Sequence, residues 1–193
     1  MGKIVLATII ISGSAKWLLN VDGNKEKWYG SDRIFMYVMT VFGAMTVNYS
    51  EQCTEYGWVV SNLRLLAGCL LAGGLLSAAY MDRRNCWVYN YVWWWCLPWT
   101  GILLGLPVSE AYMEDGVCRI TDRFSIQQAA AMALFVLLQQ ILFAQMYGRA
   151  DCHAFSVCAL AGCAWQGNLL WFLIHMLSAL TLLAAVQFCR RNV

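Results

Sequence analysis

The stretch WVVSNLRLLAGCLLAGGLLSAAY, residues 58–80, decides the class of fold. A helix needs about 20 mostly apolar residues to cross the hydrocarbon core of a bilayer. This run meets that length with a single charge, Arg64, about two turns inside its start, from where a long side chain can snorkel outward. Gly68-xxx-Ala72 and Gly73-xxx-Ser77 are small-xxx-small pairs, which let neighbouring helices approach closely. The segment therefore reads as a transmembrane helix inside a bundle.

Working outward, six further segments share this character: Ile4–Leu19, Ile34–Tyr49, Trp87–Leu106, Ile126–Tyr147, Cys152–Gln166 and Asn168–Cys189. The first follows Lys3 as a signal peptide would, but Lys16 and Trp17 stand where a small-residue cleavage site belongs, so it is read as a span. Cys152–Gln166 is short and is expected to be tilted, re-entrant or partly outside the core. The composition agrees. The chain of 193 residues is 61% hydrophobic and 12% charged, with ten Trp, against roughly 25% charged in an average soluble domain. Disorder and a secreted disulfide scaffold are excluded by the same numbers, and a net charge of +2 gives no reason to expect nucleic acid. The expected fold is all-α: a polytopic transmembrane helix bundle of about six to seven spans, with residues 1–193 forming one membrane-embedded domain.

Lys and Arg set the orientation, because short cytoplasmic loops are enriched in them. With the N-terminus outside, the inner side holds Lys16, Lys25, Lys27, Arg33, Arg83, Arg84, Arg149, Arg190 and Arg191. The outer side holds Lys3, Arg64, Arg119 and Arg123.

Eleven acids can then be placed one by one. Asp22, Glu26 and Asp32 fall in the first inner loop, Glu51 and Glu55 in an outer turn, and Glu110, Glu114, Asp115 and Asp122 in the large outer loop. Asp82 and Asp151 remain, each following a span that runs inward, so both are expected at the inner interface. Two carboxylates brought close cannot both ionise easily and share a proton. One then activates water as a base, and the other protonates the carbonyl oxygen or the leaving amine. The plainer alternative is a pair of ordinary interfacial acids flanked by Arg83, Arg84 and Arg149.

The residues around each acid carry more. Asp82 begins Asp82-Arg-Arg-Asn-Cys-Trp-Val88-Tyr89-Asn90, and Asp151 closes Gly148-Arg149-Ala150-Asp151, 69 positions later, with two spans between them. This arrangement resembles the type IV prepilin peptidase family, membrane aspartic proteases of the GxGD class. Its members carry G-x-[GA]-D at the inner end of one helix, and an earlier Asp followed by a basic run and I-P-N. Here Asn90 keeps the spacing, Val88 stands for the Ile, Tyr89 for the Pro and Ala150 for the commoner Gly. Cys152-His153 stands where x-Lys is usual, so His153 takes the place of a positive or hydrogen-bonding neighbour of Asp151. The resemblance runs from about Leu65 to the C-terminus, with a peptidase core of about 57–189.

The resemblance implies a membrane aspartic endopeptidase with Asp82 and Asp151 as its catalytic pair, supported by Asn90, Gly148, Ala150 and His153. It implies removal of a short basic leader from prepilin-like proteins at the cytoplasmic face of the plasma membrane, with no cofactor and no metal. None of the nine Cys forms a C-x-x-C pair, so the zinc-binding loop of larger members is absent and the chain resembles the minimal, peptidase-only branch. Cys53 and Cys118 both fall on outer segments, where a disulfide is conceivable. H-E-x-x-H, G-x-S-x-G and P-loop motifs are missing, and His175, in the last segment, reads as a packed residue. Gln139, Gln140 and Gln145 read as helix-joining side chains. Two rivals stand beside the peptidase: an inactive membrane helper or transporter, and a presenilin-like intramembrane protease, whose Tyr-Asp is matched only loosely by Tyr80-x-Asp82.

Overall fold

In a computed structural model the described residues are 2–21, 31–52, 58–115, 126–145 and 148–166, with 170, 173, 174, 176–178 and 181 from the last segment. Among them the chain is all-helical and holds no strand. Six α-helices follow one another: α1 (Gly2–Asn20), α2 (Ser31–Gln52), α3 (Trp58–Asn85), α4 (Asn90–Asp115), α5 (Ile126–Ile141) and α6 (Arg149–Gln166). A short 3-10 turn, Phe143–Gln145, lies between the last two. The chain divides into two compact units, Met1–Ser109 and Glu110–Val193.

In the first unit α1, α2 and α3 pack against one another in every pairing. α3 is the centre, and its small residues are the reason. A Cβ on Gly73 would overlap Ser14 Oγ and lie 3.0 Å from the Ile11 carbonyl, so α1 touches backbone there. A Cβ on Gly74 would lie 2.7 Å from Cys96 Sγ and 3.0 Å from Trp95 Cδ1, so α4 is seated one residue further round the same helix. Val92, Cys96, Thr100 and Leu103 form the buried stripe of α4, at helical spacing. Trp95 donates its indole N–H to the Leu70 carbonyl (3.2 Å) and its ring lies 5.1 Å from that of Trp17. Arg64 does not snorkel. It sits in register with the buried residues Ala67, Gly68 and Leu71, on the core stripe of α3, and is only 2% exposed.

The outer faces are apolar instead of polar. α2 exposes Ile34, Val38, Phe42 and Met45, and α1 exposes Val5, Leu6 and Ile9. Contiguous apolar surface on this scale is rare on soluble monomers. Among the described residues three stretches are long and apolar enough to cross a membrane: Gly2–Asn20, Val59–Arg84 and Gln127–Gln145.

Several boundaries differ from the sequence expectation. The fourth helix starts at Asn90 and not Trp87, because Cys86 turns left-handed (φ 52°) and the chain stays irregular until Tyr89. α5 ends at Ile141 and not Tyr147, and α6 starts at Arg149 and not Cys152. With 18 residues α6 is about 27 Å long, close to the thickness of a hydrocarbon core. In the second unit α5 and α6 pack as a hairpin joined by the 3-10 turn. Gln140 Nε2 donates to Ser156 Oγ (3.3 Å), and Ser156 Oγ donates to the Cys152 carbonyl (2.7 Å), which is the helix-joining role expected of Gln140.

Candidate functional site

The end of α3 is built by three local ties. Tyr80 and Met81 are buried and anchor the last turn. Arg84 Nη1 donates to the Tyr80 hydroxyl (3.1 Å). The Cys86 N–H donates to the Asp82 carbonyl (2.8 Å), closing the helix with a left-handed residue just beyond its end. Glycine is usual there, and a Cys pays about 1–2 kcal/mol of backbone strain. The chain break between the two helices is thus made by the left-handed Cys86, without a proline. The Val92 N–H donates to the Tyr89 carbonyl (3.1 Å), and Asn90 opens α4 on an exposed position.

Asp82 is exposed in that last turn. A carboxylate at a helix C-terminus faces the negative end of the macrodipole, which is unfavourable by roughly 0.3–1 kcal/mol. Arg83 and Arg84, in the same turn, have the favourable sign. Asp82 is therefore an acid that local helix energetics does not explain.

Several contacts show that this end of the first unit gathers four helix termini. Arg83 Nε lies 3.9 Å from Asp32 Oδ1, and the Arg83 guanidinium stands 4.8 Å over the Phe35 ring, joining α3's end to α2's start. The Tyr91 hydroxyl donates to the Leu18 carbonyl (3.0 Å), joining α4's start to α1's end. Asp32 is thus in the first turn of α2, where an acid is favourable, and is not a loop residue as the sequence suggested. Lys16, Arg33, Arg83 and Arg84 all belong to these converging termini.

Asp151 belongs to the second unit. Gly148 has φ +93°, and its carbonyl accepts from the Cys152 N–H (3.3 Å), so it caps α6. No atom lies within 4 Å of where its Cβ would be, so the backbone and not crowding demands glycine. Asp151 follows in the first turn of α6, exposed, with Ala150 half-buried beside it. Its position suits the macrodipole, unlike that of Asp82. His153 is half-buried on α6. Two positions along a helix is about 200° around it, so His153 does not share the face of Asp151.

The structure thus brings Asp82 and Asn90 to the two sides of one helix break, and Gly148, Ala150 and Asp151 to one helix start. The Asp32–Phe35–Arg83 contact was not legible beforehand. Its two halves are about fifty residues apart, and only the packing of α2 on α3 joins them. Among the described residues, no group of three His, Cys, Asp or Glu side chains could hold a metal ion. Cys53, Cys118 and His175 lie outside the described residues. No protein family, no curated protein and no solved structure matches the chain.

Proposed function

We propose that this chain is a multi-pass aspartic endopeptidase of the plasma membrane that removes short basic leaders from prepilin-like proteins. The proposal includes six to seven spans and a cytoplasmic reaction face, toward which the basic termini of α1 to α4 point. The observation that carries it is Asp82. It is an exposed acid held in a capped helix end where helix electrostatics disfavours it, next to a turn that costs strain. Such misfits of local preference concentrate at functional positions. Asp151, behind a glycine whose φ no other residue adopts readily, supports the reading as the second acid.

The proposed reaction is a general acid–base hydrolysis. One of the two carboxylates takes a proton from water as it attacks the scissile carbonyl, and the other gives a proton to the leaving amine. The proposed mechanism needs both Asp82 and Asp151, so removing either removes it. The substrate's hydrophobic helix would lie along the apolar outer faces, leaving its leader in water. The open space at Gly148 leaves room for an extended substrate segment beside the backbone that precedes Asp151.

The test is leader cleavage of a co-expressed prepilin-like protein by wild type, Asp82→Asn and Asp151→Asn. Each variant should insert in the membrane normally and lose cleavage by at least a thousandfold. Normal processing by the double variant would refute the proposal. The rival reading, an inactive helper, is favoured by one observation: an acid in the first turn of a helix, as Asp151 is, also serves as a plain electrostatic cap. That reading expects Asp151→Asn to lower stability slightly and no cleavage in wild type.

A further inference from the structure

We propose that Arg83 is a positioning residue for Asp82, held by a guanidinium notch that Asp32 and Phe35 form on the first turns of α2. The inference rests on the peptidase reading, and adds Asp32 and Phe35, which lie outside the motif fragments of either acid.

Asp32 and Phe35 are three apart on a helix and so share a face. Both reach the same side chain: the Asp32 carboxylate oxygen is 3.9 Å from Arg83 Nε, and the Phe35 ring lies 4.8 Å below the guanidinium carbon. A planar cation between a carboxylate and an aromatic face is fixed in direction as well as in place, which a lysine would not be. Arg83 is the residue after Asp82, so the notch ties the peptide next to the acid sideways to α2. The neighbouring ties run along α3 instead: Arg84 to Tyr80, and Cys86 to the Asp82 carbonyl. Without the sideways tie, the last turn of α3 carries an acid against the helix dipole and a strained residue beyond it, and both favour fraying. The Arg83 and Asp32 side chains are 53% and 31% exposed, so the pair is screened and each contact alone is weak. Acting on one guanidinium, they hold Asp82 in the geometry that acid–base chemistry needs.

The experiment uses the full chain in lipid nanodiscs and a prepilin-like peptide with a short Lys-rich leader and one hydrophobic helix. Asp32→Asn and Phe35→Leu should each lower kcat about threefold, and together about tenfold, with KM unchanged. Phe35→Tyr, which keeps the ring face, should recover most of what Phe35→Leu loses. Amide exchange at Cys86, whose N–H is bonded to the Asp82 carbonyl, should speed up in step with the loss of kcat. Unchanged Cys86 exchange in the double variant overturns the notch, whatever the peptidase activity. A loss carried by KM alone overturns the positioning role, since the pair would then touch the leader directly. Full cleavage by Asp82→Asn would strike the peptidase reading instead, and Cys86 exchange would still decide whether the notch holds α3's end.

Discussion

Replacing Gly148 by alanine separates backbone conformation from packing at the start of α6. Gly148 has φ +93°, and nothing lies within 4 Å of an added Cβ, so the methyl group meets no neighbour. What remains is the strain of an L-residue in left-handed backbone, about 1–2 kcal/mol. Gly101, inside α4, is the matched control: an added Cβ there also meets nothing within 4 Å, but its backbone is helical. Alanine at Gly101 should stabilise by about 0.5–1 kcal/mol, since glycine loses more freedom on folding. The same chemical change should thus have opposite signs at two equally open positions, with a gap of about 2 kcal/mol. Reversible unfolding in mixed micelles, followed by Trp fluorescence, measures both. Amide exchange at Cys152, whose N–H donates to the Gly148 carbonyl, localises the effect to the cap. Gly148→Asn should fall between glycine and alanine, because Asn visits positive φ more readily. A neutral or stabilising Gly148→Ala would refute the account of this turn.

Two further outcomes follow from the same geometry. Cys86→Gly should stabilise the chain by about 1 kcal/mol in the same unfolding measurement, because glycine bears no cost at φ 52°; an unchanged midpoint would count against a strained turn after α3. Gly74→Val should destabilise by about 1–3 kcal/mol through overlap with Cys96 Sγ and the Trp95 ring, and Cys96→Ala should recover part of that loss. If Cys96→Ala recovers nothing, the seat of α4 on Gly74 is misplaced.

Helical class was legible in the sequence because a bilayer leaves few choices. Backbone groups in hydrocarbon must be satisfied within the segment, so long apolar runs in a low-charge chain must be helices. The small residues of α3 were legible as packing sites, but not which neighbour each one receives. Gly73 faces α1 and Gly74 faces α4, and adjacent positions on a helix point about 100° apart. Helix ends were read less well. Hydropathy ran α5 on to Tyr147, while the glycine at 148 and the 3-10 turn before it were set by dihedral angles that hydropathy does not record. Arg64 was misjudged for a related reason: charge argues for the surface, but its place in the repeat of Ala67, Gly68 and Leu71 put it in the core.

The sequence by itself determined that the chain is helical and apolar. It also singled out Asp82 and Asp151 by the motif fragments around them, although Asp32, Glu51, Glu110, Glu114 and Asp115, which it placed in loops and turns, stand on α2 and α4. Tertiary structure alone decided how each acid is held. It showed that Cys86 makes the break a proline would make, that Asp82 stands against its helix dipole, and that Arg83 is gripped from α2. The physical reason is range. Hydropathy and motif spacing are properties of neighbours along the chain, whereas a carboxylate and a ring on one helix meet a guanidinium on another only after the helices have packed.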